Sequence, residues 1–257
     1  MKQKLVILIL LLSSFSSLYA QNVRFPTSGI IEFEKNSNVF AIIKKTINKQ
    51  NESYMQPQLD NYKTTKPQFK ILKSTLTFSK DKILFTPAAE DLNDRDYMAD
   101  NPMITQNNTI FTDLSSTTST IQKKIFEETF LVKDSTRAIN WKITSETREI
   151  AGYECRRANA IIMDSIYVVA FYTDKIPVSG GPESFSGLPG MILGVALPHE
   201  NVTWFAKSIK DTPVTENQLK PPAKGKPLNK KGLTDTFKTL AKDWGDYANI
   251  LIKGYSL

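Results

Sequence analysis

From residue 29 onward the chain mostly alternates apolar and polar positions, a period of two that predicts strands. Gly29 to Glu34 opens the first strand. Val39 to Gln50 instead places Val39, Ile42, Ile43 and Ile47 at helical spacing, although their β-branching disfavours a helix. Asn51 to Pro67 is polar and reads as an exposed loop. Ser74–Phe78 and Lys82–Phe85 flank Ser79-Lys80-Asp81 in a hairpin pattern. Pro87 to Ser119 is rich in Asp, Asn, Ser and Thr, and reads as a long excursion from the core.

From Lys123 a meander follows, with Phe126, Phe130 and Val132 marking one strand, and Trp141 and Ile143 the next. Gly152 turns the chain into a strand carrying Tyr153, Cys155 and Ala158. Ile166 to Tyr172 is apolar at nearly every position, as expected of a central strand covered on both faces. Met191 to Leu197 is a second such strand. After the turn Pro198-His199-Glu200-Asn201, Val202, Trp204 and Ala206 share one face of a last strand.

The tail changes period. Leu233, Phe237, Leu240, Ala241 and Trp244 predict an amphipathic helix over 233–252, capped near Thr234. Asp235, Asp243 and Asp246 among its lysines favour docking on its own domain over a membrane surface. The expected fold is α+β: a β-rich, curved antiparallel sheet of roughly eight to ten strands with a few peripheral helices. One domain, 21–257, is expected.

The first twenty residues have a different character. Lys2 and Lys4 precede the apolar stretch Leu5–Leu12, and a Ser-rich segment leads to Tyr19-Ala20-Gln21, the layout of a signal peptide cleaved near Ala20. Leu18 at the −3 position fits cleavage less well than Ala would. No Cys follows the apolar stretch, so a lipoprotein is not expected, and no later segment approaches membrane-spanning length. The expectation is an exported protein, periplasmic or secreted.

Charge adds little. The chain has 33 Lys+Arg against 26 Asp+Glu, and loss of Lys2 and Lys4 would lower the net charge from +7 to +5. Lys220, Lys224, Lys226, Lys230 and Lys231 fall in one Pro/Lys-rich stretch within 211–232. No aromatics interleave with them, so a solvated linker is expected and nucleic acid is not a partner. The single Cys allows no internal disulfide, and Cys155 is expected in the core. The single His allows no two-histidine zinc site, and a Cys-His or Ser-His dyad would have to run through His199.

One segment, Ile176 to Leu193, is dense in Gly and Pro. Gly181 lets backbone pass close to another element, and Pro182 stiffens the exit. Leu188-Pro189-Gly190-Met191 predicts a type II turn with Gly190 at positive φ. Such a loop is either a structural crossover or a binding loop built on Gly181, Pro182, Gly187, Leu188, Pro189 and Gly190.

Gly187-Leu188-Pro189-Gly190-Met191-Ile192 resembles the signature of the GLPGLI family of exported bacterial proteins, with Met191 where Leu is usual. The resemblance is strongest over 126–207. It runs through Trp141, Gly152, Tyr153, Cys155, Ala158, Phe171 (where Trp is common) and Tyr172, and these are expected to be core residues of the motif. The resemblance implies a signal peptide and a Bacteroidetes source, and brings with it no established biochemical activity.

Catalytic signatures are sparse. Gly-x-Ser-x-Gly is lacking around Ser186, and no phosphate-cradling or dinucleotide glycine motif occurs. Glu90, Asp91, Asn93, Asp94, Asp96 and Asp100 are oxygen-rich but lack EF-hand spacing, so no metal or other cofactor is expected. The sequence favours a non-catalytic factor that binds a partner in the cell envelope. An alternative is a periplasmic carrier of an apolar or lipidated ligand, with Trp141, Tyr167 and Phe171 lining its cavity. A hydrolase, with Glu or Asp converging on His199, is a further alternative.

Overall fold

The computed structural model describes residues 25–89, 101–105, 108–240 and 245–257. The signal-like segment, the acidic run 90–100, Ala241 and Trp244 lie outside them.

A single twelve-stranded sheet organises the chain. Its strands are β1 (Ser28–Asn38), β2 (Phe69–Ser79), β3 (Lys82–Pro87), β4 (Thr109–Asp113), β5 (Thr118–Ile125), β6 (Glu128–Ser135), β7 (Lys142–Ile150), β8 (Tyr153–Ile162), β9 (Ile166–Thr173), β10 (Met191–Leu197), β11 (Val202–Asp211) and β12 (Lys226–Leu228). The helices are α1 (Val39–Thr46), α2 (Glu52–Thr65), α3 (Pro102–Thr105), α4 (Lys230–Leu240) and α5 (Gly245–Ser256). The spatial order is β12-β6-β5-β4-β3-β2-β1-β11-β10-β9-β8-β7, so the sheet is open, with β12 and β7 at its edges. The expected β-rich α+β class holds. Twelve strands replace the expected eight to ten, and β12 pairs in parallel with β6.

β1 is the seam. It runs antiparallel to β2 from Ser28↔Ser79 to Asn38↔Phe69, and to β11 from Gly29↔Asp211 to Ser37↔Val202, with a bulge at Glu32/Phe33. One wing, β2 to β6, is a plain meander. The other, β11 back to β7, is a meander run in reverse. Residues of β5 and β6 line the same cleft as the β8–β9 tip, although these strands are distant in the sheet order. The sheet therefore curls until its wings approach, without closing.

Period-two alternation sets the core. Ile31 and Phe33 of β1, Leu76 and Phe78 of β2, and Ile83 and Phe85 of β3 are buried on one face. Each such side chain contributes about 1.5–3 kcal/mol. On β9 the face of Val168, Ala170 and Tyr172 joins this core. Phe171 points the other way, beside Phe205 at 6.5 Å between ring centroids, and the Arg148 guanidinium lies over both rings.

Three departures from the sequence reading have local causes. Residues 52–65, expected as a loop, form α2, anchored by the buried Leu59 and Tyr62 on an otherwise polar helix. The expected excursion 87–119 contains β4, whose Ile110 and Thr112 are buried while its other positions are only partly so. The stretch 211–232 is no free linker. It holds a 3₁₀ turn at Glu216–Leu219 and edge strand β12, pinned by Lys226 on Glu128 and by the Lys230 N–H on Asp134 at 3.0 Å. The tail is two helices rather than one, and Gly245, the first residue of α5, has φ +53°.

Candidate functional site

The segment from Asp174 to Gly190 joins the neighbouring strands β9 and β10 but does not make a short turn. Successive three-residue hydrogen bonds, Val178 N–H to Ile176 O and Gly180 N–H to Val178 O (both 2.8 Å), coil its start around Pro177 and Ser179. Ile192 N–H to Gly180 O at 2.7 Å then fastens it to β10. From there it lies across the core face. Phe185 packs 6.0 Å from Trp204 of β11, and the indole N–H of Trp141 donates to Ser186 O at 2.9 Å.

The expected turn at Leu188–Met191 is tighter than type II. The Gly190 N–H donates to Leu188 O at 2.8 Å, and the Met191 N–H instead donates to Ile176 O at 3.0 Å. Pro189, with its φ fixed, suits the centre of that three-residue turn. Gly190 sits at φ +144° with the Thr173 carbonyl oxygen 2.1 Å from where a Cβ would be, so only glycine fits.

As a binding loop this segment is largely packed away. Of the six residues expected to build it, Gly181, Pro182, Leu188 and Gly190 are buried, and Gly187 and Pro189 are exposed. Among the expected core residues, Cys155, Ala158, Phe171 and Tyr172 are buried. The other three are not. Gly152 is exposed in the β7–β8 turn at φ +81°, while Tyr153 and Trp141 are half-buried against the core. Gly152 serves the turn's backbone conformation rather than packing.

The loop also delivers Glu183 into the interior. Glu183 is buried, has φ +51° although it is not glycine, and accepts a hydrogen bond from Asn108 Nδ2 at 3.0 Å. Burial raises its carboxyl pKa, opposed by Lys35, by the Asn108 hydrogen bond and by Lys123. Lys35 is in phase with Ile31 and Phe33 on β1, and Lys123 with Ile121 and Ile125 on β5, so strand alternation carries both lysines inward. Burial pushes Lys123 down to about 8, with Glu183 raising it and Arg137 and Lys35 lowering it further. Lys35 Nζ also lies 5.3 Å from the Trp204 ring centroid. Burial lowers Arg137 as well, and its Nη1 has no hydrogen-bond partner among the described residues. Sequence reasoning missed all four charged groups, although the phase of Lys35 and Lys123 within their strands was a usable signal.

Two of these cations, together with Ser184, meet the C-terminal segment. Lys123 Nζ donates to Tyr255 O, Arg137 Nη2 to Ser256 O, and Ser184 Oγ to Leu257 O at 3.0 Å. Beside this segment opens a cleft of about 480 Å³ between the two sheet wings and α4. Its lining includes Lys123, Arg137 and Lys230 together with Ile161, Met163 and Leu233. Trp141, Tyr167 and Phe171, expected to line a ligand cavity, lie elsewhere: Trp141 on Ser186, Tyr167 beside His199, and Phe171 beside Phe205.

Other candidate chemistry does not assemble around the single imidazole. His199 is exposed on the 3₁₀ turn Pro198–Glu200, with its ring 6.1 Å from Tyr167, and the adjacent Glu200 pairs with Lys45 and Lys253 at 3.5 and 3.6 Å. The Cys155 thiol is buried and pushed up to about 12, chiefly by that burial. Among the described residues no His, Cys, Asp and Glu group has metal-holding geometry, and no helix is long and apolar enough to cross a membrane.

A family profile described as a protein of unknown function (Porph_ging) matches residues 161–194, from the β8–β9 tip through the buried loop to β10. No curated protein sequence matches the chain. Two structures of PNGF-II, in different space groups, are similar in fold at a TM-score of 0.51. They are 16% and 14% identical, over 82% and 81% of this chain. The chain spans about a third of PNGF-II, 33% and 32% in the two structures. An uncharacterized conserved protein from Thermus thermophilus aligns over 78% of this chain with 6% identity and a TM-score of 0.38, too remote to bear on it.

Proposed function

We propose that this chain is an exported protein of the GLPGLI type that works by binding rather than by catalysis, and that the cleft between the sheet wings is its binding site. The cleft carries the proposal: about 480 Å³ lies within the range of small-ligand sites, and polar and apolar side chains converge on it. The family-profile match supports the reading because it spans both the cleft's lip at Ile161 to Asp164 and the loop that presents Ser184 to it. The Gly187–Ile192 signature falls within that match and supports the family assignment. The signal-like residues 1–20 support export. Burial of the Cys155 thiol disfavours it as a nucleophile, and the engagement of Glu200 with two lysines leaves the neighbouring His199 without a free carboxylate there, which supports the non-catalytic reading. The likeness to a third of PNGF-II concerns fold, and fold carries no activity across at this identity.

Site-specific photocrosslinking in the native cell envelope tests this reading. A photoreactive residue at position 161 should yield a defined adduct, protein or lipid, that the same probe at exposed position 71 does not. The absence of any adduct at 161 would overturn it. So would a hydrolytic activity of the purified chain that His199→Ala abolishes, which would favour the hydrolase reading instead.

A further inference from the structure

The cleft's contents specify its ligand more closely, and this inference rests on the binding reading above. Lys123, Arg137 and Lys230 all reach its lining, and Asp164, at the β8–β9 tip, is the acidic side chain that joins them. In the folded chain these cations donate to neutral backbone oxygens: Lys123 to Tyr255, Arg137 to Ser256, and Lys230 to Ser135. An anionic acceptor would add to each of these bonds a Coulombic attraction that a neutral carbonyl does not supply. Deeper in, Lys35 and Lys123 lie in the field of the Glu183 carboxylate, and Arg137 and Lys35 add positive charge beside Lys123. The local field thus favours a negative charge.

The same cleft is also lined by exposed apolar side chains. Ile161 is 67% and Met163 38% exposed, at the tip of a hairpin whose Met163 and Asp164 both sit at positive φ. That turn geometry favours Asn and Gly, and holding a Met in it costs about 1 kcal/mol or more. Exposed apolar groups on a strained turn and a basic cluster, lining one cleft, form a site with two chemical components. Leu233 and the buried Leu257 belong to the apolar component.

We propose that the cleft binds an amphipathic anion, a carboxylate or phosphate head on a single apolar chain. The head lies against Arg137, Lys123 and Lys230, and the chain runs along Ile161, Met163 and Leu233. The backbone carbonyls of Tyr255 and Ser256 occupy part of the head's place, so binding moves that segment aside and gives Lys123 and Arg137 a charged acceptor in place of a neutral one.

Titration calorimetry on the full chain, below micellar concentrations, tests this with laurate, dodecyl phosphate, dodecyltrimethylammonium and acetate. Laurate, dodecyl phosphate or both should bind one to one, at least ten-fold tighter than the cationic amphiphile, with acetate undetectable; which of the two anions binds tighter identifies the head. Ile161→Glu, at an exposed position where folding is not at stake, should weaken anion binding at least ten-fold. Ile71→Glu, also exposed but away from the cleft, should leave it unchanged. Equal affinity for the cationic amphiphile, unaltered binding by Ile161→Glu, or no binding of either anion would overturn the proposal. A position-161 crosslink to an envelope protein in that case would leave the broader binding reading standing.

Discussion

The ammonium of Lys123 donates to the backbone oxygen of Tyr255, 132 residues further along the chain. This bond ties β5, in the middle of one sheet wing, to the last turn of α5. Lys123 is a charged residue in a core phase, and its partner is a carbonyl that only the folded C-terminal segment can supply.

Removal of residues 255–257 should therefore destabilise the protein through lost hydrogen bonds as well as through the lost packing of Tyr255 and Leu257. Lys123, Arg137 and Ser184 all lose their acceptors, and a buried cation left without a partner costs about 3 kcal/mol. Urea denaturation should show a lowered midpoint with little change in slope. A midpoint close to that of the intact chain would count against these bonds.

Lys123 should also leave a signature in the pH dependence of stability. Its folded pKa of about 8 lies below its unfolded value, so between the two the unfolded chain binds the extra proton and stability rises with pH. The cost of burying the charge, about 3 kcal/mol, is present in full below pH 8 and is relieved above it. Cys155 acts in the opposite sense: with a folded pKa of about 12, it withdraws stability once the pH exceeds its unfolded value near 9. The clean window is therefore pH 8 to 9. Thermal melts should show Tm rising across it, and Lys123→Met should abolish that rise.

The three positive-φ glycines of the motif region should differ in tolerance. Gly190→Ala faces both a forbidden φ and a carbonyl oxygen at 2.1 Å, and should cost at least about 3 kcal/mol. Gly187→Ala meets only Trp141 at 3.7 Å, and Gly152→Ala meets nothing within 4 Å, so each should cost about 1–2 kcal/mol from backbone strain alone. Chemical denaturation of the three variants gives the order directly, and equal losses would contradict it.

Trp141→Phe keeps a ring against the core and removes the donor to Ser186 O. The expected loss is about 1 kcal/mol, with the loop's amides near Ser186 exchanging hydrogen faster. Unchanged exchange there would show that Trp141 does not hold the loop down.

Much of the sheet was readable from the chain. The hairpin at Ser79–Asp81, the central strand Ile166–Tyr172, the strand Met191–Leu197 and the paired face of Val202, Trp204 and Ala206 all stand where their periodicity put them. β4 escaped notice because Thr109 and Thr112 break its apolar signal, and α2 because tertiary contacts at Leu59 and Tyr62 outweigh its polar composition. The buried charges escaped for a different reason. Composition places lysine at the surface, and only the phase of Lys35 and Lys123 within their strands says otherwise. The cleft depends on two wings meeting, a relation between strands distant in order that no local pattern encodes.

The central place of β1 bears on how the molecule is put together. The first strand of the sheet must wait for β11, some 170 residues later, before its second side is covered. The chain thus has a natural parting line. A nick in the segment between Ser135 and Lys142 would leave two pieces, each holding one contiguous half of the sheet apart from the edge strand β12. Reassembly of those pieces would depend chiefly on one complementary register, Gly29↔Asp211 through Ser37↔Val202, with the short β12–β6 pairing joining them at the far edge. The fold is a two-part lock whose key strand is made first and engaged last.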